Sequence, residues 1–162
     1  PYIELPKKLT VRQNLVVYGK LYNVSNLNEQ IDFLSNKLRL NKLLDKITGE
    51  LSSGQKNRVS LAKALINDPT VLLLDEPTAS LDPETGDFVR TFLENYKNEK
   101  KISVLLASHN MNEVKRLCST VLMMKDGMIV DSGTPDHLIK KYGRKNLEEV
   151  FLELVRNKNE FN

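Results

Sequence analysis

Two short stretches of this chain carry residue types that could act together on a phosphate. Leu51-Ser52-Ser53-Gly54-Gln55 puts small and hydroxyl-bearing residues where a helix can open. Free backbone N–H groups and the helix dipole make such an opening an anion site. Ser52 adds a hydroxyl, and Gly54 lets backbone approach a ligand closely. Capping of the helix by a serine pair is the plain alternative. Further on, Val71-Leu72-Leu73-Leu74-Asp75-Glu76-Pro77 reads as a strand, apolar on both faces, that ends on adjacent carboxylates. Asp75 at the strand's carboxyl end suits the magnesium of a bound nucleotide. Glu76 suits polarising an attacking water as general base. An acidic turn after a strand is common in α/β proteins, so this stretch also has a plain reading.

His109, in Ser108-His109-Asn110, follows a second apolar run, Ile102 to Ala107. A histidine there is either solvated loop or a contact for a terminal phosphate, because ligands gather beyond the carboxyl ends of strands in open α/β sheets. Asp82, before Pro83, is a helix N-cap whatever else it touches. Tyr18, Tyr22 and Phe33 fall at helical spacing and are expected in the core, not on a stacking platform.

The elements that must position these groups change character near residue 68. Before it the pattern is helical. Thr10-x-x-Gln13 forms a capping-box pattern ahead of Val11, Leu15, Val16, Tyr18, Leu21 and Tyr22. A second helix is expected from Asn26 to Leu40, with Leu27, Ile31, Leu34 and Leu38 on one face. Leu43-Leu44-Asp45-Lys46 reads as a short turn, and a third helix from Ser53 to Ile66 carries Val59, Leu61, Ala62, Ala64 and Leu65 toward a core. After Pro69 strands and helices alternate. Val71–Leu74 and Ile102–Ala107 are expected as buried strands, with a helix from Asp82-Pro83 to Asn98 between them. Met111–Cys118 is helical, Lys125-Asp126-Gly127 is a hairpin turn between Thr120–Met124 and Met128–Asp131, and helices open at Thr134-Pro135 and Leu147. Alternating helices and apolar strands argue for a parallel α/β layer.

Composition narrows the class. A chain of 162 residues, 40% hydrophobic and 28% charged, is of ordinary globular type. Its apolar runs are much shorter than the ~18 residues of a membrane span, and no secretory leader pattern is present. The lone Cys118 rules out an internal disulfide and fits a reducing compartment. Two histidines with one cysteine do not make a structural zinc set. A net charge of +3 is too mild to argue for nucleic acid, and none is expected as a partner. The run Lys140-Lys141-Tyr142-Gly143-Arg144-Lys145 reads as solvated surface.

One motif is missing. A phosphate-binding P-loop reads Gly-x-x-x-x-Gly-Lys-Ser/Thr. Only Gly49 and Gly54 have the glycine spacing, and Gln55-Lys56 follows them, so that near-match is coincidental. The chain begins at Pro1 without an initiator methionine, which suits a fragment or a processed product.

The order of the motifs nevertheless resembles the second half of an ATP-binding-cassette (ABC) ATPase domain. It runs Leu51-Ser52-Ser53-Gly54-Gln55, a helix, Asp68-Pro69, Leu74-Asp75-Glu76-Pro77-Thr78, Ala79-Ser80-Leu81-Asp82, then Ser108-His109-Asn110. The similarity extends from Leu9-Thr10-Val11-Arg12-Gln13-Asn14-Leu15 to Asn146-Leu147-Glu148-Glu149-Val150-Phe151. The ending from Gly143 is similar to ATP-binding subunits of bacterial drug and polysaccharide exporters. The resemblance implies an α/β fold with a partial P-loop NTPase (RecA-like) core and a helical signature subdomain. Residues 1–67 are then the helical subdomain and signature helix, 68–133 the partial core and 134–162 C-terminal helices. It implies that Ser52, Ser53, Gly54 and Gln55 face the γ-phosphate of ATP held by an opposite cassette, and that Asp75 serves Mg²⁺. It makes Glu76 the catalytic base, His109 the switch histidine and Asp82 part of the loop joining the sites across the dimer. A second cassette and a transmembrane permease are the implied partners, with the protein peripheral at the cytoplasmic face of the membrane.

This chain departs from that pattern. Ser53 replaces the first glycine of Leu-Ser-Gly-Gly-Gln, a mild change. No glutamine precedes Gln13, so the Q-loop glutamine is missing or lies upstream. The P-loop and the adenine-stacking aromatic are absent, and in the family fold the P-loop strand lies between the strands near Ile102–Ala107 and Thr120–Met124. The chain alone is therefore expected to bind ATP weakly or not at all, and to expose apolar strand edges and associate. The alternatives are a truncated, non-catalytic half-cassette that binds a complete partner, and a non-transport ABC ATPase of DNA repair, chromosome maintenance or translation.

Overall fold

The computed structural model describes residues 5–79 and 81–156, which form two compact units meeting in sequence at Ala107 and Ser108. The first unit begins with helices α1 (Val11–Leu21), α2 (Leu27–Lys37) and α3 (Ser53–Leu65), which pack on one another. The Thr10–Gln13 capping box forms and opens α1, with Thr10 Oγ1 accepting from the Gln13 N–H at 3.1 Å. The apolar stripe of α2 is buried at Ile31 and Leu34, and Leu38 beyond its end continues the stripe. Val59, Leu61, Ala62 and Leu65 of α3 close the same core.

The segment that delivers α3 is strapped to the start of α1. The N–H of Thr48 donates to Leu9 O and that of Gly49 to Lys7 O, each at 2.9 Å. Buried Asn14 donates from Nδ2 to Thr48 Oγ1 at 2.8 Å. A Cβ on Gly49 would stand 3.0 Å from the Lys7 carbonyl oxygen, so this close backbone approach favours glycine. Gly49 therefore serves a short 3₁₀ turn (Thr48–Glu50) and not a phosphate loop.

The rest of the first unit is β1 (Val71–Asp75), α4 (Pro83–Lys100) and β2 (Ser103–Ala107), a parallel strand pair joined by a crossover helix. Asp68 ties the entry of β1 to α4, accepting from Tyr96 OH at 2.7 Å and from Lys100 Nζ at 2.8 Å. The Lys100 bond first, and the Tyr96 bond with it, hold the Asp68 carboxyl below its ordinary pKa.

Here the expectation of strands buried on both faces fails. Leu72 is buried, but Val71 is 58% exposed and Leu73 69%; Leu105 of β2, opposite Leu73, is 64% exposed. An apolar run tells that both faces suit apolar surroundings, whereas burial needs a layer packed on each, and within this unit only one face is covered. The expected core placement of the aromatics fails similarly. Tyr22 is 52% exposed, and Tyr18 and Phe33 are only half-buried, because they flank the apolar stripes without lying at their centres. The Tyr18 ring instead carries Lys63 Nζ at 4.7 Å from its centroid.

The second unit contains α5 (Met111–Leu117), the hairpin β3 (Val121–Lys125) and β4 (Met128–Gly133), α6 (Pro135–Lys141) and α7 (Leu147–Arg156). Asp126 and Gly127, both at positive φ, make the two-residue turn that Asp-Gly predicts. Val114, Val121, Met123, Leu138, Leu147, Val150 and Leu154 form its core. Asp131 of β4 accepts from Lys141 Nζ and Tyr142 OH, a cluster that holds its carboxyl down at about 2. Among the described residues β2 pairs only with β1, and β3 only with β4.

Candidate functional site

The first-unit site is assembled from the starts of two helices and the end of one strand. Ser52 is the N-cap of α3. Its Oγ accepts from the Gln55 N–H at 3.3 Å, and Gln55 Oε1 accepts in return from the Ser52 N–H at 3.1 Å. This capping box holds Ser52 and Gln55 in place, and the Ser52 hydroxyl keeps its proton for donation outward. Ser53 and Gly54 occupy the first helical positions, whose N–H groups have no intrahelical acceptor. No acidic residue stands in this first turn, so its positive end is electrostatically open to an anion. Serine capping is therefore present, and it leaves the first N–H groups of α3 without an intrahelical acceptor.

Asp75 is exposed at the end of β1, paired with Ala107 of β2. The parallel pairing runs one residue past the strand, since the Glu76 N–H donates to Ala107 O at 2.9 Å. Glu76 adopts φ 47°, the left-handed region a glutamate rarely enters. That bond and a run of turns hold it there: Ala79 N–H to Glu76 O at 3.3 Å and Leu81 N–H to Thr78 O at 3.2 Å. Backbone strain of this kind is a marker of functional sites when the surroundings over-determine it.

Asp82 is the N-cap of α4, with Oδ1 accepting from the Thr85 N–H at 2.9 Å. That bond is the main reason its carboxyl lies below the ordinary range. The loop leading to it touches α3, because a Cβ added to Gly54 would meet Leu81 Cδ2 at 3.3 Å. The structure therefore brings the Ser52–Gln55 turn and the Leu81–Asp82 segment together. His109 belongs to the second unit, where it is exposed. The residues beside it are fixed: Ser108 Oγ donates to buried Glu113 Oε2 at 2.7 Å, and Asn110 caps α5.

Residue types alone did not point to the supports of this site. Thr78 is buried, and Arg90 Nη1 from α4 lies 3.4 Å from its Oγ1. Arg58 of α3 donates from Nη1 to the carbonyls of Leu38 and Arg39 at 3.2 and 3.3 Å. The available signal was position: Arg58 follows Gly54 by one helical turn, on the same face.

Among the described residues no group of three or more His, Cys, Asp and Glu could hold a metal by itself. Magnesium, however, is commonly held by one or two carboxylates together with waters and substrate phosphates. Exposed Asp75 fits that share of a site. Among the described residues no helix is long and apolar enough to cross a membrane.

Comparison with known proteins agrees with this geometry. A profile of the family described as ABC transporter matches residues 3–79. The Nod factor export ATP-binding protein I of Rhizobium sp. (strain N33) is 36% identical over 91% of this chain and 49% of its own length. The methionine import ATP-binding protein MetN 1 of Bacillus anthracis is 37% identical over 94% of this chain and 48% of its own. The chain thus spans about half the length of these relatives. A solved structure described as the ATP binding subunit of an ABC transporter superposes with a TM-score of 0.80 at 26% identity, covering 93% of this chain and 64% of the other. The α/β fold is therefore that of the P-loop NTPase ABC ATPases, and residues 3–79 match the ABC transporter family.

Proposed function

We propose that this chain supplies the signature and catalytic-carboxylate half of an ATP-hydrolysing cassette that drives a membrane transporter. The observation that carries the reading is the strained, backbone-pinned Glu76 beside exposed Asp75 at the carboxyl end of β1, in the unit that also presents the open N-terminus of α3. Residues 1–67 then act as the helical subdomain with the signature helix, 68–133 as the later part of the RecA-like core, and 134–162 as the C-terminal part, whose described helices end at Arg156; residues 1–4 and 157–162 of this division lie outside the described residues.

In this reading the Ser52 hydroxyl and the Ser53 and Gly54 N–H groups donate to the terminal phosphate of ATP held by an opposite cassette. Gln55 keeps Ser52 oriented through the capping box. Asp75 holds Mg²⁺, which when bound neutralises charge on the phosphates. Glu76 takes a proton from the attacking water. His109 contacts the γ-phosphate, and Asp82 contacts the partner cassette across the dimer. The partners are a second cassette and a transmembrane permease, which keep the protein at the cytoplasmic face of the membrane. Relatives named for export and for import match the chain about equally, so the proposal names no direction of transport.

The test is a chimera that joins the P-loop half of a relative to this chain, assayed for Mg²⁺-dependent ATP hydrolysis. Hydrolysis is expected, with Glu76→Gln slowing it by about 10²–10⁴-fold while leaving ATP bound. A folded chimera without activity, or a Glu76→Gln variant as fast as its parent, overturns the reading.

A further inference from the structure

Arg58 has no assigned task in the site, yet its surroundings are unusual. Its guanidinium reaches across from α3 to the carbonyls just past the C-terminus of α2, donating to Leu38 O and Arg39 O at 3.2 and 3.3 Å. These carbonyls lack intrahelical donors and lie at the negative end of α2, so a cation there is favourable. Arg58 Nε is buried and has no partner among the described residues. Burial lowers the pKa of Arg58; Arg39 opposes its charge and Asp82 supports it. The side chain of Arg39, at φ 55°, lies over Phe88 of α4 with its guanidinium carbon 4.1 Å from the ring centroid. On α3 itself Gly54 and Arg58 share a face, and Gly54 abuts Leu81.

We infer that Arg58 is a positioning residue: by clasping the C-terminus of α2 it sets the first turn of α3, Ser52–Gln55, against the Leu81–Asp82 loop. One face of α3 then forms a seam, with Gly54 against Leu81 at its start and Arg58 bonded to α2 a turn later. The cation stays at the seam because two carbonyls and the field of Asp82 compensate it, although incompletely. Incomplete satisfaction makes the seam sensitive to loss of any one member. The purpose of the seam rests on the proposed function; its existence does not.

Amide hydrogen exchange of the chain, followed by NMR, tests the inference. The probes are the amides of Gln55 and Lys56, bonded to Ser52, and those of Thr85 and Gly86, bonded to Asp82. Arg58→Met keeps the stem and removes the donors and charge. It is expected to speed exchange at Gln55 and Lys56 by about tenfold or more relative to α1, with a smaller rise at Thr85 and Gly86. Arg58→Lys, which retains the charge and one donor head, is expected to restore most of that protection. An equal rise throughout the first unit, no rise, or no rescue by lysine overturns the inference. Should Arg58→Met fail to fold, Leu81→Ala carries the test. It is expected to speed exchange at Gln55 and Lys56 with α1 unchanged, and unaltered rates overturn the proposal. These rates do not depend on ATP, so an inactive chimera beside the expected exchange pattern removes the function and leaves the seam standing.

Discussion

The starts of α3 and α4 are built on the same plan and finished differently. Each has a polar N-cap whose side chain accepts from the N–H three residues on, Ser52 from Gln55 at 3.3 Å and Asp82 from Thr85 at 2.9 Å. In α4 the cap is itself an anion, the next residue is Pro83 with no N–H to offer, and Glu84 adds a second negative charge. That helix end is electrostatically filled by its own sequence. In α3 the cap is neutral, the first turn holds Ser53 and Gly54, and no acid is present. Its dipole and donors are left for something else. Caps stabilise helices in either form; only the absence of a built-in anion distinguishes a helix end that can receive a phosphate from one that has no need of it.

Making α3 resemble α4 is the most damaging test of this contrast. Gly54→Asp places an acid in the first turn and a Cβ 3.3 Å from Leu81 Cδ2. In the active chimera it is expected to reduce ATP hydrolysis by on the order of a hundredfold or more, the scale of losing one transition-state donor. Undiminished activity would remove the distinction between the two helix ends. Ser52→Asp separates stability from function more finely. Aspartate caps as well as serine and suits the dipole, so thermal or urea unfolding is expected to show stability unchanged or raised by up to about 1 kcal/mol. Hydrolysis by the chimera falls by about tenfold or more, because the terminal phosphate now meets a negative charge. A parallel fall in stability and activity would show that Ser52 is a cap and nothing else.

The smallest expected effect is at Asp82. Its folded pKa lies below the ordinary carboxylate value, chiefly through the Thr85 N–H. The carboxylate therefore contributes stability that is present above the unfolded pKa of ~3.9 and is lost as the pH falls through the lower, folded value. Asp82→Asn retains a capping oxygen but does not titrate, so the stability difference between parent and variant is expected to shrink on acidification below about pH 4. Chemical denaturation across that range checks this. A difference that widens with acid would reverse the assignment of Asp82 as a charged cap. Salt should reduce the effect as well, since Asp82 is exposed.

Where an element is specified by local chemistry, reading the residues was enough. Thr10 with Gln13 opens α1, Asp82-Pro83 opens α4, Thr134-Pro135 opens α6, and Asp126-Gly127 turns the hairpin, because caps and tight turns are satisfied within a few residues. The same holds for helix capping by serine at Ser52 and for the carboxylates that close β1. Burial was read less well. The run from Val71 to Leu74 contains nothing polar, yet Leu73 lies largely exposed, since a residue type cannot say whether a second layer covers it. Tyr22 was misplaced for a related reason: helical spacing puts a residue near a stripe, and the neighbouring helix decides whether the stripe reaches it. The role of Arg58 and the contact of Leu81 with Gly54 are not legible in the sequence, because their partners, the carbonyls just past α2 and the first turn of α3, are far away along the chain.

By itself, the sequence determined the caps, the turn chemistry, the order of the signature and carboxylate motifs, and the absence of a P-loop from these 162 residues. Each is a matter of residue type and short spacing, which backbone hydrogen bonding within a few residues translates directly into structure. Only the tertiary structure decided that Gly54 faces Leu81, that Arg58 spans from α3 to the end of α2, and that the Glu76 N–H is drawn to Ala107 while its φ turns positive. Those features depend on how helices pack and in what register parallel strands pair. Packing and register are set by the summed burial of side chains distant in the chain, a quantity that no local pattern contains.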